Sequence, residues 1–250
     1  MGILRTIGTA FAMYSKIPVP DFKWEEKDMA YQISAFPLVG AAIGLAEYIA
    51  FRFLTFAGAG DICRTFVMGA IPLIITGGFH MDGFMDTCDA LNSYREREKR
   101  LEILKDPHIG SFAVIRAIEW VLLYAAFVSM IREETQAIAL GCGFIISRAM
   151  SGLFIMKLPN ARSAGMLYEN TQQYKKGNRY LLIFELIIAF LFMLKVSAVH
   201  AFGLVFAAEV STMYCIRLSK KEFGGVTGDI AGFYLMVNEL AIAAAAGIIR

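Results

Sequence analysis

Three aspartates, Asp82, Asp86 and Asp89, recur at i, i+4 and i+7 in the stretch 77–89, which reads GGFHMDGFMDTCD. On a helix this spacing puts the three carboxylates on one face. Like charges that close repel one another unless a cation sits between them. Oxygen-only ligands suit a hard ion, Mg²⁺ or Mn²⁺, and Mg²⁺ usually also takes phosphate oxygens from its substrate. His80 points away from that face and no cysteine lies on it, which argues against zinc. The plainer alternative is a solvated charged loop. Against it, the neighbours Phe79, Met81, Phe84 and Met85 are apolar, and Gly77, Gly78 and Gly83 allow close approach of a backbone or a ligand.

Two more segments carry candidate groups. Residues 101–111 read LEILKDPHIGS and contain Lys105, Asp106 and Gly110. A helix opening near Gly110 would favour an anion at its N-terminus. Residues 223–229 read FGGVTGD and contain Gly225, Thr227 and Asp229. Asp229 is either a further ligand or the cap of the helix that follows. Lys175, Lys176 and Arg179 are read as interfacial charges rather than phosphate contacts, and His108 has no assigned role. Ionisable groups inside apolar segments are costly and often functional. Of these, Arg148 and Glu239 flank the proposed site. Arg52, Arg116, Glu119 and Glu209 are read as snorkelling or paired, and His200 as structural.

The elements that hold these groups follow from composition. Of 250 residues, 57% are apolar and 18% charged, with a mean hydropathy of +0.56. A soluble domain has about 45–50% and about 25%, so the chain reads as an all-α integral membrane bundle forming one domain over 1–250. About 20 apolar residues cross a bilayer core. The segments 34–57, 62–80, 109–131, 135–156, 180–196, 198–217 and 229–249 qualify, which predicts about seven transmembrane helices. Met1 to Pro20 predicts an N-terminal interfacial helix rather than a cleaved signal. Basic residues gather on one side of this arrangement: Arg5, Lys16, Lys23 and Lys27, then Arg95 to Lys105, then Lys157 to Arg179, then Arg217 to Lys221. That alternation predicts a cytoplasmic N-terminus, an outside C-terminus and the aspartates at the cytoplasmic face of the cell membrane. Cys63, Cys88, Cys142 and Cys215 lack metal or disulfide spacing and are read as free. No repeat is visible.

The motif at 77–89 resembles the signature of the cobalamin synthase (adenosylcobinamide-GDP ribazoletransferase) family. IPVP at 17–20 and FPLVG at 36–40 resemble that family's N-terminal elements. LEILKD at 101–106 with Gly110 resembles its second motif, and GGVTGD at 224–229 followed by Glu239 its last. Pro107-His108 stands where the family usually has Ser-Arg, and Ala90 where a glycine is common. The resemblance covers essentially the whole chain. It implies a membrane-embedded, Mg²⁺-dependent transferase that joins adenosylcobinamide-GDP to α-ribazole or its 5′-phosphate and releases GMP. Its implied metal ligands are Asp82, Asp86, Asp89 and Asp229. Its implied substrate contacts are Lys105, Asp106, Gly110, Arg148, Arg162, Gly225, Thr227 and Glu239. The proton of the attacking hydroxyl goes to Asp86, Asp89 or His80. The implied partners are the two substrates and the bilayer, with no nucleic acid and a homo-oligomer left open. A membrane phosphotransferase acting on CDP-alcohols is the first rival, but Asp82-Gly83 is followed by Phe84-Met85 rather than by the Ala-Arg of that pattern. A transporter is the second, and would place acids at the midplane of paired repeats.

Overall fold

The structure, a computed structural model, describes residues 2–20 and 26–250. Lys23 and the side chain of Lys27 lie outside the described residues. Apolar runs become helices and end where glycine, proline or polar residues interrupt them. The helices are α1 (Gly2–Tyr14), α2 (Glu26–Met29), α3 (Phe36–Phe56), α4 (Asp61–Thr76), α5 (Phe79–Asn92) and α6 (Arg97–Ile103). They continue with α7 (Ser111–Val128), α8 (Glu134–Lys157), α9 (Met166–Gln173), α10 (Gly177–Val196), α11 (Ala198–Leu218) and α12 (Gly228–Ile248). Among the described residues the only β pairing is one parallel bridge, Asn160 with Val226.

Among the described residues, five helices are long and apolar enough to cross a membrane: the turn at Gln32 with α3, α7, α8, α11 with the π-turn after it, and α12. A sixth is counted only if α4 and α5, bent by 92° at the break between them, form one interrupted span. The expected count of about seven is therefore not reached on length and hydropathy. Segment 62–80 does not run through to His80. At 16 residues, α4 is about 24 Å long, short of the roughly 30 Å hydrocarbon core. Segment 180–196 is α10, which is 20 residues long but carries Arg179, Glu185 and Lys195.

The helices alternate in direction. At one end Arg52 (α3) pairs with Glu134 (α8) at 2.7 Å and Arg132 with Asp61 (α4) at 3.1 Å. At that same end Gln136 donates to the carbonyls of Gly247 and Ile249, both at 3.0 Å. At the other end Asn178 (α10) donates to the Ala30 carbonyl at 2.8 Å, and the Asn160–Val226 bridge joins the exit of α8 to the approach of α12. The centre is α8, flanked by α3 and α12. Outward-facing Leu45, Ile49, Phe53, Ile118, Leu122, Phe184, Phe192, Phe202 and Phe206 stay exposed. Such a belt suits lipid rather than water. The His200 backbone N–H donates to the hydroxyl of Ser197, the N-cap of α11. All four cysteines are free.

Candidate active site at one end of the bundle

Gly77 and Gly78 both take left-handed backbone conformations, with φ of +64° and +77°, which glycine adopts without steric cost. They turn the chain out of α4, so that α5 lies across the end of the bundle, outside the spanning helices. There α5 packs on the first turns of α12. A Cβ at Gly83 would stand 2.9 Å from both the Cα and the carbonyl oxygen of Asp229. Only glycine permits that approach. Phe84 and Phe233 then stack at 5.5 Å between centroids. Asp82 on α5 and Asp229 on α12 thereby line one cleft of about 290 Å³, together with His80, Arg162, Thr227, Asn160 and Asn170.

The four acids differ in their surroundings: Asp82 and Asp229 line the cleft, whereas Asp86 and Asp89 do not. Partial burial, and then the charges of Asp82, Asp229 and Asp89, push the Asp86 carboxyl up to about 6. Asp89 has a partner of its own. Its Oδ1 accepts the backbone N–H of Ala113 at 3.0 Å, in the first turn of α7. A Cβ at Gly110 would fall inside the Asp89 carboxyl group. The anion expected at the α7 N-terminus is therefore Asp89 itself. Asp229 is not the cap of α12. Thr227 is, accepting from the Ile230 N–H at 3.3 Å. One Asp229 oxygen accepts from the Thr227 hydroxyl at 3.3 Å and lies 3.8 Å from Arg162. Among the described residues no group of three or more His, Cys, Asp or Glu is arranged to hold a metal ion.

The other predicted contacts divide by position. Arg162 reaches the cleft on the strap 159–165. That strap is held by hydrogen bonds from Ala161 N–H to the Val226 carbonyl and from Val226 N–H to the Pro159 carbonyl, both 2.9 Å. Gly225 allows this pairing, because a Cβ there would strike the Pro159 carbonyl. Gly225 therefore positions Arg162 and does not itself line the cleft. Lys105 and Asp106 do not reach it either, since both are exposed in the α6–α7 link. The His108 N–H, at 3.0 Å, and then the His108 ring hold Asp106 below the usual carboxylate range. Arg148 and Glu239 face each other at 2.7 Å, both buried in the bundle. Neither lines the cleft.

His80 lines the cleft but is buried beside the rings of Tyr14, Phe36 and Phe79. Burial, and then the Arg148 cation, push its imidazole down to about 3. Tyr14, Asn160 and Asn170 were not legible as cleft residues in the sequence, and Phe36 stood out only as part of the FPLVG element. No charge or spacing marks them, and each comes from an element distant in the chain.

These features define a helical membrane protein with an acidic, arginine-bearing cleft at one end of its bundle. The chain belongs to the cobalamin-5-phosphate synthase family, whose sequence profile matches residues 6–247. It is 39% identical to an adenosylcobinamide-GDP ribazoletransferase of Lachnoclostridium phytofermentans, over 98% of this chain and 96% of that one. It is 31% identical to one of a Sinorhizobium species, over 96% and 93%, and 28% identical to one of Clostridium botulinum, over 95% of each. No solved structure matches.

Proposed function

We propose that this protein joins adenosylcobinamide-GDP to α-ribazole or its 5′-phosphate, releasing GMP and forming adenosylcobalamin or its phosphate. This is a late step in assembling the nucleotide loop of vitamin B12. Family membership supports the reaction class. The observation that carries the reading to a site is the meeting of Asp82, Asp229 and Arg162 in one cleft.

The donor set fits Mg²⁺. It is all oxygen, and like charges crowd around Asp86. With no three acids closed around an ion among the described residues, the fit is to an ion that completes its shell with substrate phosphate oxygens. Asp82 and Asp229 would hold it. Bound there, Mg²⁺ supplies neutralisation of the negative charge that builds on the diphosphate as GMP leaves.

The chain's own groups do the rest. Arg162 offers its guanidinium to the phosphate oxygens. A ribazole hydroxyl attacks the phosphorus that bears the corrinoid arm. The bond to GMP breaks and GMP carries away the electron pair. Asp86, one turn beyond Asp82, accepts the hydroxyl proton. Partial burial raises this carboxyl above its ordinary range, which makes it a stronger base than a solvated carboxylate. Asp89 is held by the α7 N-terminus, and His80 is too weak a base. The proposal puts this chemistry on the cytoplasmic side of the cell membrane, where Arg95, Lys99, Lys176 and Lys220 gather.

The test uses purified protein with Mg²⁺, adenosylcobinamide-GDP and α-ribazole, followed for GMP and cobalamin. Asp82→Asn should raise the Mg²⁺ requirement and abolish turnover at low Mg²⁺. Asp86→Asn should cut kcat by two orders of magnitude or more with the Mg²⁺ requirement unchanged. Near-normal rates in Asp82→Asn at low Mg²⁺ would remove Asp82 from the ion site.

A further inference from the structure

The cleft has two unlike ends. One presents Asp82, Asp229, Arg162 and Thr227, and the other Tyr14, Phe36, Phe79 and His80. At the second end Tyr14 and Phe36 lie 4.3 Å apart between centroids, Phe36 and His80 5.6 Å, and Phe79 and His80 5.3 Å. His80 is only 5% exposed. Its Nδ1 is buried and has no hydrogen-bond partner. A buried polar atom without a partner costs stability, so each case calls for a reason. Here the atom belongs to a ring that walls a cleft, next to other aromatic rings.

We propose that this aromatic end binds the flat benzimidazole base of ribazole, with His80 Nδ1 as its polar anchor and the sugar directed toward Asp82 and Asp229. The inference rests on the transferase reading above and assigns one end of its cleft to one of the two substrates. A benzimidazole riboside has a largely apolar bicyclic base with a single free ring nitrogen, which accepts a hydrogen bond. His80, protonated at Nδ1, donates to it. Stacking between aromatic rings holds the remainder. Guanine, the base of the other substrate, adds an exocyclic oxygen and an amino group. Besides His80, the polar group at the aromatic end is the Tyr14 hydroxyl, which already pairs with Tyr174, so guanine's extra groups would go unpaired there, and an unpaired buried polar group is strongly rejected. A cleft of about 290 Å³ has room for a nucleoside.

Steady-state kinetics on the full-length protein in detergent read this directly. His80→Phe keeps a ring and removes the donor. Phe79→Leu removes a ring from a side chain that is 48% exposed and is tolerated by the fold. Each should raise KM for α-ribazole about tenfold, the size of one buried hydrogen bond or ring contact, and leave KM for adenosylcobinamide-GDP within about twofold. His80→Asn, whose amide stands where Nδ1 does, should recover much of the loss. Unchanged KM for ribazole in both variants overturns the inference, as does a rise confined to the corrinoid substrate. If His80→Phe does not fold, Phe79→Leu decides alone.

If wild-type protein releases no GMP, the transferase reading falls separately. Calorimetry with benzimidazole riboside against guanosine then decides the site. Binding of the first alone, weakened in Phe79→Leu, supports the aromatic end as its site. No binding, or equal binding of both, overturns it.

Discussion

Asp82, Asp86 and Asp89 carry the same chemical group on one face of α5, and what separates them is their partners. Asp89 accepts the Ala113 N–H, so its charge is spent on the positive end of α7. Removing a capping carboxylate costs about 1 kcal/mol, whereas asparagine caps nearly as well as aspartate. Asp89→Ala should therefore lower the melting temperature in detergent, and Asp89→Asn should restore most of it, with the Mg²⁺ dependence of turnover unchanged in both. A raised Mg²⁺ requirement in Asp89→Asn would return Asp89 to the ion site. The matching experiment on α12 reverses the expectation. Thr227 is its cap, so Thr227→Val should cost about 1 kcal/mol. Asp229→Asn should leave stability nearly intact while Mg²⁺-dependent turnover falls by orders of magnitude. The shared face of the three aspartates was legible from spacing alone. Their division of labour was not, because the Ala113 N–H that claims Asp89 belongs to a helix 24 residues further on.

Between elements, the decisive contact is α5 on α12. Gly83 and Asp229 meet backbone to backbone, so nothing at this crossing can rotate aside to admit a methyl group. Gly83→Ala should destabilise the protein by about 1–3 kcal/mol and reduce turnover further, by parting Asp82 from Asp229. Gly69→Ala is the control, since a Cβ there meets no atom. Equal melting temperatures and rates for the two variants would show that the crossing is loose. The sequence revealed Gly83 as a place of close approach without revealing what approaches. It also showed Gly77-Gly78 but not their effect. A hydropathy window reads through two glycines, while two consecutive left-handed residues end α4 and swing α5 through 92°. The bend is why the acids sit across the end of the bundle rather than along a span. The N-terminal helix was likewise visible as an element, but nothing in residues 2–14 announced that Tyr14 would wall a cleft with Phe36 and His80.

Across the whole molecule, two sets of polar groups bear on the site. One is the cleft at the end of the bundle, and the other lies in its centre. In the centre, Arg148 on α8 pairs with Glu239 on α12, while Glu47 on α3 is fully buried with neither carboxylate oxygen hydrogen-bonded. The sequence marked Arg148 and Glu239 as exceptional because charge is expensive in an apolar span. It could not show that they face each other, since they lie 91 positions apart and only the α8–α12 packing unites them. Arg148 also lies over the ring of Phe36, 5.6 Å from its centroid, and Phe36 walls the aromatic end of the cleft. The pair thus supports a cleft that it does not line. Removing one partner of a buried pair leaves an uncompensated charge and costs about 3–5 kcal/mol, whereas replacing both by apolar groups is often neutral. Arg148→Met should accordingly lower the unfolding temperature in detergent sharply, and Arg148→Met with Glu239→Leu should recover most of the loss. Equal losses in the single and double variants would mean that Arg148 acts by packing against Phe36 and Phe144 rather than by neutralising Glu239. Restored stability without restored turnover would mean that the fold needs the pair only to balance its charge, while the cleft needs Arg148 itself to hold Phe36 in place.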